Sequence, residues 1–211
     1  MRVYLPSVAV AKQFSFMDVG LIMCDHVIDT AGRPTVLDNG AYSAWKNGED
    51  WKETKWLRML QKCERRKIEW AVVPDVVADR RGTLCAWSRW SYLLRRVYGF
   101  AAAFVVQDGM TPDDIPRGSN NIPTGGYDSS IAADIIFVGG TTAWKWSTLR
   151  AWTAAFPRVH VGKVNSLKQL LAAHDAGAES IDGTGFSFEN KRRALRQYSN
   201  AIKTPELFGA T

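Results

Sequence analysis

Cysteine, histidine and long apolar runs are all scarce in this chain, and each scarcity excludes something. Its 211 residues include three Cys, at positions 24, 63 and 85. Odd in number and far apart, they rule out a disulfide framework and a CxxC-type zinc site, and a reducing compartment suits them best. His26, His160 and His174 lack metal-ligand spacing, so each is read as a structural histidine, and neither metal nor cofactor is expected. No run reaches the roughly 18 consecutive apolar residues of a membrane span. The opening Met1-Arg2-Val3-Tyr4-Leu5-Pro6 has no long apolar export segment. The expectation is a cytoplasmic protein with no membrane partner. Internal repeats, low-complexity tracts and linkers are missing too, so residues 1–211 are read as one domain.

What the chain does have is 46% hydrophobic residues, enough to bury a core, and a net charge of +6 with pI near 9.3. Such a charge points to an anionic partner, with nucleic acid a candidate. Nine Trp and six Tyr add stacking surfaces, although most aromatics in a small domain fill its core.

The strongest pattern is a series of short apolar runs that stop on polar or glycine residues. They are Val36-Leu37-Asp38-Asn39-Gly40, Ala71-Val72-Val73-Pro74-Asp75, Phe104-Val105-Val106-Gln107-Asp108-Gly109, Ile135-Ile136-Phe137-Val138-Gly139-Gly140, Val159-His160-Val161-Gly162-Lys163 and Ser180-Ile181-Asp182-Gly183. Helical patterns alternate with them, over Glu49 to Lys67 and Thr83 to Tyr98, the latter stopping at Gly99. Ser147 and Ser166 are read as N-caps of two more helices, the second ending at Gly177. Buried parallel strands read as short β-branched runs, and strand–helix alternation implies a mainly parallel α/β sheet. The fold expected is a compact TIM-like (β/α)8 barrel. A typical barrel needs about 250 residues, so this one must be abbreviated or incomplete. The segment Thr111 to Ser130, rich in Pro and Gly, is the one long irregular loop and reads as a substrate lid.

In a barrel the residues just past the C-terminal strand ends share one site. Asp79 and Asp108 read as cap and turn residues that satisfy free backbone N–H groups. Asp38 and Asp182 are different: each has glycine close by and they lie on strands far apart in sequence. Paired carboxylates suit displacement at a sugar carbon, one acting as nucleophile while a second group handles the proton. Gly139-Gly140 and Gly162-Lys163 are possible phosphate cradles. Lys163 reads equally well as a Schiff-base amine or as an exposed salt-bridging lysine.

The order of these segments resembles the tRNA-guanine transglycosylase superfamily. Val36-Leu37-Asp38-Asn39-Gly40-Ala41-Tyr42-Ser43 looks like that family's Asp-Ser-Gly-Gly-Tyr/Phe-Gln segment. Pro74-Asp75, Val106-Gln107-Asp108-Gly109, Val138-Gly139-Gly140-Thr141, Val161-Gly162-Lys163-Val164 and Ile181-Asp182 follow in register. Within the superfamily the chain is most similar to the short phage and bacterial 7-deazaguanine DNA transglycosylases. The resemblance implies exchange of guanine in DNA for a free 7-deazaguanine base such as preQ0. By motif, Asp182 takes the nucleophile position and Asp38 that of general acid/base. Asp75 would face the guanine edge, Gln107 and the Gly139–Thr141 segment with its Gly140 N–H would address O6, and Tyr42 would stack on the base. Ala41 and Ser43 depart from the family's Gly and Gln. The Cys/His zinc subdomain of the tRNA enzymes is missing, since no Cys follows Cys85, which favours DNA over tRNA. Lys163 and the cluster Lys191, Arg192 and Arg193 are the expected phosphate contacts, although a basic cluster on a terminal helix is often only a solvated face. Three other readings stand beside this one: a tRNA-guanine transglycosylase, a phosphate-binding lyase or aldolase using Lys163, and a non-catalytic nucleic-acid-binding barrel.

Overall fold

The computed structural model describes residues 1–64, 66–117 and 131–203. Eight parallel strands close into a barrel in sequence order: β1 (Arg2–Leu5), β2 (Val19–Met23), β3 (Thr35–Leu37), β4 (Trp70–Val72), β5 (Ala101–Val106), β6 (Ile135–Val138), β7 (Val159–Val161) and β8 (Ser180–Asp182). Closure is made by β1 and β8, with Val3 opposite Ile181 and Tyr4 opposite Asp182. Among the described residues seven α-helices surround the strands: α1 (Val8–Lys12), α2 (Ala41–Lys46), α3 (Glu53–Cys63), α4 (Arg80–Tyr92), α5 (Thr142–Ala155), α6 (Leu167–Asp175) and α7 (Glu189–Lys203). The (β/α)8 architecture is therefore complete in its strands. Its economy lies in the connections, because α1 and α2 have only five and six residues and residues 24–34 join β2 to β3 with no helix. Among the described residues no helix is long and apolar enough to cross a membrane.

Strand alternation divides the side chains into two layers. Tyr4, Ile22, Val36, Trp70, Val105 and Ile135 fill the barrel interior. Leu5, Leu37, Phe104, Val138, Val161 and Ile181 point outward and pack with Trp87, Trp152 and Tyr198 under the helices. The interior is narrow, so large rings are seated opposite glycines. A Cβ on Gly20 would stand 2.6 Å from the Tyr4 ring, and one on Gly162 2.6 Å from Phe137.

Helix ends explain one departure from the sequence reading. Ser147 lies inside α5, its hydroxyl donating to the Trp144 carbonyl at 2.9 Å, and the N-cap is Thr141. The chain turns directly out of β6 at Gly140, where φ is 70°, a conformation open to glycine at no steric cost. Ser166 does cap α6, accepting from the Gln169 N–H, and Gly177 closes that helix at φ 84°. Helix α4 starts at Arg80 and runs on through a π-helical turn, Leu93–Val97, to Gly99.

The turn after β8 is the tightest point of the fold. A Cβ on Gly183 would overlap the Val164 carbonyl oxygen and touch the Phe186 ring. Gly183→Ala is therefore expected to cost about 3 kcal/mol, as overpacking against backbone does. A melting temperature lowered by roughly 5–10 °C would register it, and an unchanged one would show that this turn has room to relax.

Candidate active site

At the C-terminal end of the barrel the inward positions turn polar. Asp38 follows β3, Asp75 lies beyond β4, Gln107 follows β5, Gly139 and Gly140 follow β6, Gly162 and Lys163 follow β7, and Asp182 ends β8. Six separate strands thus contribute to one mouth.

Asp182 is buried, with 8% of its surface exposed. Its Oδ2 lies 2.9 Å from His160 Nε2, and its Oδ1 accepts from the Lys163 backbone N–H at 3.3 Å. His160 is fully buried, opposite Ser180 in the β7–β8 register, with Nδ1 2.9 Å from the Ser180 Oγ. With a neutral ring, Nε2 carries the hydrogen for the carboxylate and Nδ1 accepts from the serine hydroxyl. Trp70, Phe137 and Tyr4 box in the imidazole, with ring centroids 4.9, 4.6 and 5.9 Å away. His160 is a buried core residue, as its structural reading has it, but it has a polar partner that the sequence did not reveal: as the only inward residue of a three-residue strand, it aims straight at the neighbouring carboxylate.

Asp38 accepts from the Gly40 N–H at 3.1 Å. Burial pushes its pKa up to about 7, against the pull of that hydrogen bond and with help from the charges of Asp182, Asp75 and Asp25. Asp75 is gripped on both oxygens, by Asn39 Nδ2 at 3.0 Å and Gln107 Nε2 at 2.7 Å. Its pKa is raised by burial, while those two bonds and the charge of Lys163 oppose the shift. Gln107 is oriented in turn because its Oε1 accepts from the Ala78 N–H at 3.3 Å.

Tyr42 stands in the first turn of α2, with the Lys163 ammonium over its ring. Lys163 adopts a left-handed φ of 59°. Burial and the nearby Lys145 cation bring its pKa down to about 8, whereas Asp182, Asp75 and Asp38 pull the other way. Lys145 reaches in from α5, buried, and donates to the Gly162 carbonyl. Burial lowers its pKa as well, with Asp182 opposing. Sequence reasoning passed over Lys145, Asn39, Ser180 and Asp25. Asp25 follows β2 at φ 62° and, with Asn39, Ser43, Trp51 and Lys55, borders a cleft beside Asp38.

Other candidates have structural tasks. Asp108 accepts both the Thr141 N–H at 2.7 Å and the Thr141 hydroxyl at 2.6 Å, and so pins the Gly139–Thr141 turn. Asp79 caps α4 through the Gly82 N–H at 2.9 Å, as its cap reading anticipates. His174 pairs with the Tyr198 hydroxyl at 3.0 Å, and His26 is exposed after β2. Lys191, Arg192 and Arg193 lie in the first turns of α7. Arg192 is committed to the Phe186 and Ser187 carbonyls and to Glu189, whereas Lys191 and Arg193 are exposed. In the segment read as a lid, Thr111 to Arg117 contains a short capped turn, and residues 118–130 lie outside the described residues. Among the described residues no group of three or more His, Cys, Asp or Glu side chains is disposed to hold a metal ion.

No model of a known protein family matches the chain, and no curated protein matches it.

Proposed function

We propose that the protein exchanges a nucleobase at a sugar carbon, replacing guanine in DNA with a free 7-deazaguanine. The observation that carries this reading is the convergence of three carboxylates from three strands, each held differently. Asp182 is oriented by His160, Asp38 has a pKa of about 7, and Asp75 is fixed by two amides. A group poised near neutrality suits proton transfer in both directions, and an oriented carboxylate suits attack on carbon. The resemblance in segment order adds the identity of the base.

In the first half-reaction Asp182 attacks C1′ as the bond to guanine N9 breaks. The electron pair leaves with guanine, which takes up the proton of Asp38. In the second half the incoming base gives its N9 proton to Asp38, and its N9 displaces Asp182 from C1′. Two inversions give net retention. Asp75 retains free lone pairs for N–H groups on the guanine edge, and Tyr42 offers its face to the base once the Lys163 ammonium moves aside. The target base must leave the helix stack to reach this mouth.

A direct competition tests both chemistry and polymer. Guanine-labelled DNA and labelled tRNA, each supplied with preQ0, should release guanine mainly from DNA. Release should slow with added salt, as phosphate contacts through Lys191 and Arg193 require. Faster release from tRNA would reassign the polymer, and release from neither would refute base exchange.

A further inference from the structure

Base exchange as proposed gives the Lys163 amine no chemical task, yet this residue, exposed at the barrel mouth, holds its amine over the Tyr42 ring. Facing it are Asp182 on β8, Asp75 beyond β4, Asp38 beyond β3 and Lys145 on α5, with the Tyr42 ring of α2 beneath. Its own backbone N–H is bonded to the Asp182 carboxylate, so the amine is tethered within one side chain of the group proposed to receive C1′. We infer that Lys163 is an imine-forming nucleophile for the C1′ aldehyde of an abasic deoxyribose, and that the protein has a second, strand-cleaving lyase activity on DNA. This rests on the base-exchange reading for the choice of DNA as the polymer and for the origin of the abasic sugar, and a test on a preformed abasic site removes the second dependence.

Two independent features support the assignment. Lys163 holds a left-handed backbone conformation at φ 59°, in which a lysine costs of order 1 kcal/mol and a glycine nothing. Lysine also reacts with carbonyls only as the neutral amine, and a second cation beside a lysine is a known way to populate that form. With a pKa of about 8, about a quarter of Lys163 is neutral at pH 7.5.

The chemistry balances with water as co-reactant. If water meets the sugar ester of Asp182 before a new base does, C1′ becomes the hemiacetal carbon of an abasic site and opens to the aldehyde. The Lys163 lone pair adds to C1′, water leaves, and a protonated imine forms. A carboxylate of the cluster then removes a C2′ proton. The electron pair forms the C2′–C3′ double bond, and the C3′–O bond breaks with its pair on the departing 3′-phosphate. A second water hydrolyses the imine and frees the amine.

The test uses duplex DNA carrying one preformed abasic site, so that it does not depend on base exchange. Sodium borohydride, a hydride donor, should reduce the imine to a secondary amine and yield a denaturation-resistant protein–DNA adduct that peptide mapping places on Lys163. Trapping should rise as pH passes through about 8. Without borohydride the strand should be nicked 3′ to the abasic site. Lys163→Arg keeps a cation over Tyr42 but supplies no neutral amine, and should lose both adduct and nick. An adduct on another lysine or on the N-terminal amine, or a wild type that exchanges guanine yet gives no adduct, would overturn the inference. A wild type that traps abasic DNA but exchanges no base would instead overturn the base-exchange reading and leave this one standing.

Discussion

Asp182→Asn should lower guanine exchange by about 10⁴- to 10⁶-fold, the scale on which removal of a covalent nucleophile registers. The amide preserves shape and its oxygen can still accept from His160 Nε2, so folding and DNA binding should change little. Wild type mixed with guanine DNA in the absence of an incoming base should form a denaturation-resistant ester that the variant lacks. Substantial turnover by Asp182→Asn would remove the residue from the mechanism. The hydrogen bond behind it can be probed separately. His160→Phe fits the same aromatic box without an N–H, and the freed carboxylate should cost about 10²-fold in kcat, as slight misplacement of a reacting group does, with KM for the base unchanged. Partial recovery in His160→Gln, which restores a donor, would mark positioning and not mere packing as the role of the ring.

Asp38→Asn should weaken catalysis and strengthen the fold at once. Loss of a general acid/base lowers turnover by roughly 10²- to 10⁴-fold. In the wild type, guanine release should itself decline as pH rises through about 7, because the acid form of Asp38 disappears there. The stability effect follows from the same titration. The folded carboxyl holds its proton up to about 7, whereas the unfolded one releases it near 3.8, so the folded state binds the extra proton between these values. The associated stability is present in full below about 3.8 and is lost as pH rises through about 7. That interval represents roughly 4 kcal/mol, and the partial exposure of Asp38 reduces the measurable part to about 2 kcal/mol. At pH 8 the Asn variant should therefore melt about 5 °C above wild type, while at pH 4 the two should nearly coincide. Equal melting temperatures at both pH values would show that Asp38 is well solvated.

The legible parts of this molecule were those where an apolar run ends abruptly on a charged or glycine residue. Strands β3 to β8 and the positions of Asp38, Asp75, Gln107 and Asp182 could be read that way, because strand ends at the barrel mouth must change from apolar to polar within one residue. The first two strands escaped. Arg2–Leu5 carries a charge and a tyrosine, and the run at Val19–Met23 is followed by no helix to mark it as part of a strand–helix unit. Asp25 went unnoticed with β2 for that reason. His160 was hidden differently: in Val159-His160-Val161 nothing in the local pattern says which neighbour the inward residue will meet, since that depends on its register with Ser180. Counting back by twos from Asp182 and Gly162 reaches Ser180 and His160, and is the one signal that could have exposed the pair. Lys145 had no signal, being one charged residue of a helix until α5 docks.

The pairing of β1 with β8, and of Tyr4 with Asp182 in particular, has a consequence for how the protein is made. A growing chain exposes the free edge of β1 until residue 182 has been synthesised and released for pairing, and an unsatisfied strand edge is a template for aggregation. Contacts between strands so far apart in sequence are also slow to form. The strand that seals the barrel is the one that carries Asp182. Closure of the barrel and completion of the carboxylate cluster are thus timed together, because a chain that stops short of β8 has neither the sealing strand nor Asp182.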